Sequence, residues 1–161
     1  MKLLGNFGFS YIGLVWLLML IIPNLIWTKN KPKQYEETAA KENKFLLIFE
    51  RIGQMCVCFF ALIFSDFNFQ KNSLWTVWLA VSFLLLVLYE ICWLRYFKSK
   101  RTMKDFYSNF AFIPVPLASL PVLAFLLLGI YGKVGVLIIS VCIFGIGHIG
   151  IHFQNKKNFV K

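Results

Sequence analysis

The sequence predicts an all-α membrane protein, a bundle of about five transmembrane helices with its N-terminus outside and its C-terminus in the cytoplasm. Hydrophobic residues make up 59% of the 161 positions, and 15% are charged, against about 25% in an average soluble domain. A soluble protein of this size keeps too much of its surface in water to hide so many apolar side chains. This composition predicts the membrane helix bundle, and the distribution of basic residues predicts its orientation in the membrane.

Five apolar segments are each long enough to cross a bilayer, which takes about 20 residues because a helix rises about 1.5 Å per residue. They are 7–27, 45–69, 74–97, 109–131 and 134–153. Together they form one integral membrane domain over residues 1–161. The first segment is longer than a signal-peptide core of about 7–15 residues, and no Ala-x-Ala-like site follows it. We therefore expect it to be retained as a helix.

Individual spans carry their own markers. Pro23 lies late in the first span and is expected to kink it. The stretch 35–41 favours helix, so the second helix is expected to begin on the cytoplasmic surface before the membrane. The fourth span contains three prolines, Pro114, Pro116 and Pro121, which predict a bent helix or an irregular start. The fifth span is rich in glycine, which predicts close packing in the centre of the bundle.

The four cysteines all fall inside predicted spans, and none belongs to a C-x-x-C pair, so the spacing does not indicate a zinc or redox site. We expect them to act as small apolar residues of the bundle. They are Cys56, Cys58, Cys92 and Cys142.

The basic residues fall almost entirely on one side of the predicted membrane. With five crossings, that side holds all but three of the 17 Lys and Arg residues, including Lys161 at the C-terminal end; the exceptions are Lys2, Lys71 and Lys133. Short loops rich in Lys and Arg stay in the cytoplasm. Anionic lipid headgroups are therefore the expected partner of this side, at about 1 kcal/mol per nearby charge. They account for the net charge of +10, and we expect neither a nucleic-acid partner nor a cofactor.

Polar side chains inside the spans converge on one depth. Such groups cost about 2.5–3.5 kcal/mol each at mid-helix, so they tend to face the bundle interior and to pair. Each of four helices has a polar side chain about 8–12 Å from its end at the basic side of the membrane, at 1.5 Å per residue. Gln54 lies on the same helix face as Glu50. The sequence therefore predicts a polar pocket open to the cytoplasm, with a ligand or proton site formed by Asn24, Glu50, Gln54, Glu90 and His148.

Structural pairing between helices is the alternative interpretation of these groups. Arg51 and Arg95 are the candidate charge partners, and Arg95 is close enough to the interface to extend to the headgroups. His148 and His152, four residues apart, are candidate metal ligands. Ile149 stands where the metalloprotease motif has Glu, so that chemistry is not indicated.

Several segments together resemble small uncharacterised multi-pass membrane proteins of low-GC Gram-positive bacteria: 7–13 (FGFSYIG), 23–24 (PN), 50–51 (ER), 64–68 (FSDFN) and 147–152 (GHIGIH). The resemblance covers most of the chain and implies no activity. It implies a bacterial plasma membrane as the location, which also suits the bias toward Lys, Asn, Ile and Phe.

The residues favour a protein that binds or transports a small solute or a lipid-like ligand at the cytoplasm-facing pocket. Two alternatives stay open. One is a metal-assisted intramembrane enzyme that uses His148, His152 and a glutamate. The other is a non-catalytic partner or immunity-type subunit that acts through helix contacts, for which the glycines of the fifth span would matter most. Five short spans enclose little volume, which is compatible with a homo-oligomer.

Overall fold

The computed structural model describes residues 1–71 and 73–159, and Lys161 of the basic C-terminus lies outside them. Over the described residues the chain is all-helical and has no β-strand, which confirms the predicted fold class. In this part of the chain there are seven α-helices, and a 3-10 turn, Ser65–Phe67, follows the third of them. The helices are α1 Tyr11–Thr28, α2 Tyr35–Ala39, α3 Lys44–Ile63, α4 Thr76–Lys98, α5 Met103–Phe106, α6 Pro116–Gly132 and α7 Gly135–Phe159.

The long helices confirm a membrane protein. Four of them, α1, α3, α4 and α7, are long and apolar enough to cross a membrane, and α6 is a shorter apolar helix of 17 residues. The fourth predicted span, 109–131, corresponds to this shorter helix. Ala111 and Val115 have φ angles of 50° and 43°, and Pro116 occupies the first helical position. The backbone therefore cannot be helical before residue 116, which is the predicted irregular start.

The other helix ends differ from the predicted spans for local reasons. The first helix starts at Tyr11 rather than residue 7, because the Ser10 hydroxyl accepts a hydrogen bond from the Gly13 N–H at 2.8 Å and caps the helix. The third helix ends at Ile63 rather than residue 69, because Phe64 is extended. The last helix continues past residue 153 to Phe159, since its polar end keeps the helical conformation.

The connector before the second span forms a helix of its own. We expected one helix to run from the connector into the membrane, but α2 ends at Ala39 and α3 starts at Lys44. Asn43 separates them: its backbone is extended, and its side-chain oxygen accepts a hydrogen bond from the Phe45 N–H at 2.9 Å. Because the Asn43 side chain caps a new helix, α3 starts at Lys44 and is not a continuation of α2.

The bundle is built around two helix pairs, α3 with α7 and α4 with α6, joined by packing of α6 on α7. The first helix contacts both α3 and α4. Glycines mark the tightest approach: a Cβ on Gly53 would overlap the backbone of Phe144, and one on Gly147 would overlap the backbone of Glu50. The order of these contacts makes α3 and α7 antiparallel. The predicted close packing of the glycine-rich span is therefore confirmed.

A buried hydrogen-bond chain joins three helices. The indole N–H of Trp16 donates to the Ser82 hydroxyl at 2.7 Å, and that hydroxyl donates to the Ala124 carbonyl at 2.7 Å. These groups belong to α1, α4 and α6. Because lipid offers no replacement partners, such bonds fix how the helices are rotated against one another.

The N-terminal segment is fastened to the 3-10 turn at the end opposite the basic loops. Asp66 accepts hydrogen bonds from the backbone and side-chain nitrogens of Asn6 at 2.5 and 2.9 Å. Asn68 accepts from the Tyr11 N–H at 2.9 Å and donates to the Phe9 carbonyl at 3.0 Å. Asp66 and Asn68 thus have a structural role.

Candidate functional site

The predicted polar layer contains one close acid–imidazole pair, formed by Glu50 of α3 and His148 of α7. Nδ1 of His148 lies 2.5 Å from Oε1 of Glu50, and the two side chains are 18% and 19% exposed. At this distance the two atoms are within hydrogen-bond range of each other. The ring of Phe144 stacks on the imidazole, with centroids 4.8 Å apart and planes at 17°, and covers one of its faces.

The pair exists because small residues let the two helices approach at this level. On α3, Leu46, Glu50 and Gly53 follow the i, i+4, i+7 spacing of one face. That face meets Gly147 and Phe144 of α7. Any side chain at position 147 would overlap the backbone of Glu50, so only glycine fits there. The backbones therefore come close enough for the short Glu50 side chain to reach the adjacent imidazole.

A second histidine, His152, follows His148 along α7. Together with Asn155 and Glu42, the two histidines form a row of polar side chains that we call the polar line. The ring of His152 lies with its centroid 4.5 Å from that of His148. On its other sides it packs against Phe106 at 5.7 Å and Tyr107 at 5.6 Å between centroids. Both aromatic residues lie in or next to α5, so this short helix covers part of the histidine, which is half-buried.

The line ends at the basic face of the bundle with Asn155 and Glu42. The Asn155 amide donates to the Glu42 carboxylate at 3.0 Å. Burial raises the pKa of the Glu42 carboxyl, and the Asn155 hydrogen bond opposes this shift. His148, His152 and Asn155 are spaced i, i+4, i+7 and occupy one face of α7. Polar side chains thus lead from the Glu50 pair to the end of the bundle.

Two tyrosines beside this line stay neutral at physiological pH. Burial, and to a lesser extent the carboxylates of Glu42 and Glu50, raise the pKa of Tyr35 to about 12. Burial likewise raises the pKa of Tyr107, which the hydrogen bond with Asn155 opposes. Their hydroxyls can therefore donate and accept hydrogen bonds without carrying charge.

A groove of about 650 Å³ opens beside Asn155, between α2 and the end of α7. Most of the residues that line it are polar, and its volume is within the range of small-molecule sites, about 300–1,000 Å³. The lining residues include Gln34, Thr38 and Lys41 on one side and Gln154, Asn155 and Lys157 on the other. Asn155 belongs to both the groove and the polar line, so it connects the groove to the Glu50 pair.

The remaining predicted site residues lie elsewhere. The Asn24 amide donates to the Tyr89 hydroxyl at 2.8 Å and to the Leu20 carbonyl at 2.7 Å, which joins α1 to α4. Gln54 is exposed on α3, and Glu90 is half-buried on α4. Among residues 1–71 and 73–159, neither side chain has a hydrogen-bond partner. The structure therefore brings together Glu50 and His148 but not the full predicted set.

The two arginines do not pair with the glutamates as proposed from the sequence. The Arg95 guanidinium donates to the Asn109 carbonyl at 2.8 Å and to the Ser108 hydroxyl at 2.8 Å, so it anchors the segment after α5. Arg51 is exposed and makes no ion pair within the described part of the chain. Glu50 has His148 as its partner instead.

Sequence reasoning did not include Glu42, Tyr107 and Asn155 in the site. A signal existed for Asn155, which lies seven residues after His148 and so on its helix face. No signal existed for Glu42 and Tyr107, because they lie outside the spans and reach the line only through the folding of their loops.

The metal interpretation of His148 and His152 stays a prediction. Nowhere in 1–71 or 73–159 do three or more His, Cys, Asp or Glu side chains gather closely enough to hold a metal ion. Nδ1 of His148 is engaged with Glu50, so a metal at this histidine would bind at Nε2.

No protein-family model, curated protein or solved structure matches this chain. The candidate function therefore depends on the geometry of the site.

Proposed function

We propose that this chain is a multi-pass protein of the bacterial plasma membrane that binds or transports a small polar solute from its cytoplasmic side. The groove between α2 and α7 receives the solute, and the Glu50–His148 pair takes up or releases a proton as the solute binds. The observation that carries the proposal is the 2.5 Å contact between a carboxylate and an imidazole within two membrane-spanning helices.

A purely structural role explains this pair poorly. Gly53 and Gly147 already hold α3 and α7 in backbone contact, so the helices need no ion pair to associate. An ionisable residue in a span costs about 2.5–3.5 kcal/mol and usually marks a functional site. Histidine is the side chain whose unperturbed pKa, about 6.5, lies closest to cytoplasmic pH.

The polar line supplies a route for the proton. His152 lies between His148 and the end of the bundle, and Asn155 and Glu42 follow it at the groove. A protonation change at the pair can therefore be linked to events at the groove. The distribution of Lys and Arg supports placing this end of the bundle in the cytoplasm.

Proton movement in reconstituted vesicles tests the proposal. The protein is placed in liposomes that contain a trapped pH-sensitive dye, and a panel of amino acids, small amines, sugars and organic acids is added outside. At least one class is expected to cause a pH change in vesicles with the wild-type protein. Glu50→Gln and His148→Gln are expected to abolish the change while folding normally.

Ser140→Ala serves as the matched control, because within the described residues the Ser140 hydroxyl bonds only to the Val136 carbonyl of its own helix. It is expected to behave as the wild type. The proposal is wrong if the two site variants give the same pH response as the wild type. It is also wrong if the wild-type protein responds to no member of the panel.

A further inference from the structure

Three polar side chains within the spans have no partner among the described residues of their own copy. Arg51 and Gln54 are exposed on α3, and Glu90 is half-buried on α4. Across residues 1–71 and 73–159, none of the three side chains forms a hydrogen bond or an ion pair. Polar groups in a span otherwise face the bundle interior and pair, so their position calls for an external partner.

The three groups lie at matching depths. Arg51 and Gln54 come seven and ten residues after Lys44, and Glu90 comes eight residues before Lys98. At 1.5 Å per residue these positions are about 10, 15 and 12 Å from the basic end of the bundle, within a hydrocarbon layer about 30 Å thick. The depth of the Glu90 carboxylate on α4 thus lies between the depths of Arg51 and Gln54 on α3.

The two helices present these groups on separate sides of the bundle. α3 packs mainly on α7, and α4 packs mainly on α6. Exposed apolar residues flank each polar group: Ile48 and Met55 lie on the Arg51 face of α3, and Leu94 lies one turn after Glu90. Each face therefore has the composition of a membrane-helix interface, with a polar centre and an apolar surround.

We propose that copies of this chain associate side by side, with the α3 face of one copy against the α4 face of the next. Arg51 of one copy forms an ion pair with Glu90 of the second, and Gln54 donates a hydrogen bond to the same carboxylate. Charge complementarity at a common depth selects a second copy as the occupant. The inference is independent of the solute site, so either proposal can fail without the other.

Energy transfer between labelled copies in liposomes tests the contact. Donor and acceptor dyes are attached through a C-terminal tag, and transfer is measured for Arg51→Glu alone, Glu90→Arg alone, and a mixture of the two. Each variant alone puts like charges together and is expected to lose the transfer seen for the wild type. In the mixture, Arg51 of one variant meets Glu90 of the other, and the two substituted residues also pair. The mixture is therefore expected to regain wild-type transfer.

Lys104→Glu is the matched control, since it reverses a basic residue that is exposed outside the spans. It is expected to retain wild-type transfer. Regained transfer in the mixture also establishes that both variants fold. If either variant is not recovered as folded protein, Arg51→Gln and Glu90→Gln replace them; each is expected to reduce transfer, and the double variant is expected to reduce it no further.

Any of the following results would overturn the inference. The first is wild-type transfer no greater than random proximity in the membrane produces. The second is transfer that survives the single charge reversals. The third is a loss that mixing does not restore, or additive losses in the neutral variants. A loss confined to the Arg51 variants would indicate that this side chain binds lipid phosphate instead.

Discussion

Gly147 of α7 lies directly against the backbone of Glu50 of α3, and this contact sets the distance at which the adjacent His148 meets the Glu50 carboxylate. A site that depends on two backbones touching is sensitive to a single methyl group. The two backbones already lie in contact at this point, so they cannot come closer. Helix packing and the candidate proton site are therefore one structural feature.

Gly147→Ala is expected to separate α3 from α7 and to destabilise the protein by about 1–3 kcal/mol, the usual cost of overpacking. The new Cβ would lie 2.8 Å from the Glu50 Cα and 2.5 Å from the Leu46 carbonyl oxygen. Thermal unfolding in detergent micelles measures the effect. Gly150→Ala is the control, because its Cβ would meet the flexible Leu46 side chain at 3.1 Å. Equal stability of the two variants would contradict the proposed packing.

Ser82→Ala is expected to cost about 1–3 kcal/mol, because it leaves the buried Trp16 indole N–H without an acceptor. The same change removes the donor to the Ala124 carbonyl. Ser140→Ala, which deletes a hydroxyl bonded within its own helix, is expected to change stability little. Chemical or thermal unfolding compares the two variants, and a larger loss for Ser140→Ala would refute the importance of the three-helix chain.

Much of the fold could be predicted from the sequence because hydropathy and helical periodicity are local properties. The depths of Glu50 and His148 follow from counting residues, and the glycines of α7 indicate close packing. The partners of polar groups could not be predicted, because they depend on how each helix is rotated. Arg95 binds Ser108 and Asn109 for this reason, although its position in the sequence suggested a glutamate.

The stability of the protein is expected to depend on the titration of Glu42. Burial raises the folded-state pKa of this carboxyl above its unfolded value, which is about 4.3 for glutamate. The protonated form therefore stabilises the fold below the unfolded pKa, and this contribution is lost as the pH rises through the folded pKa. Glu42→Gln removes the titration and keeps an oxygen that can accept from Asn155.

Unfolding of the Glu42→Gln variant is consequently expected to depend less on pH than that of the wild type, from about pH 4 upward. At neutral pH the variant is expected to be the more stable of the two. Glu37→Gln, at an exposed carboxylate of α2, provides the comparison. A wild-type pH profile in Glu42→Gln would show that this carboxyl is not buried as described.

The most direct test of the central claim is a solid-state NMR distance between the Glu50 carboxyl carbon and Nδ1 of His148, measured in lipid bilayers. A nitrogen 2.5 Å from a carboxylate oxygen places the nitrogen within about 4 Å of the carbon. We expect a distance in that range, and we expect the chemical shift of Nδ1 to change in Glu50→Gln. A separation beyond about 6 Å, too long for any hydrogen bond between these groups, would remove the basis for a proton site at this position.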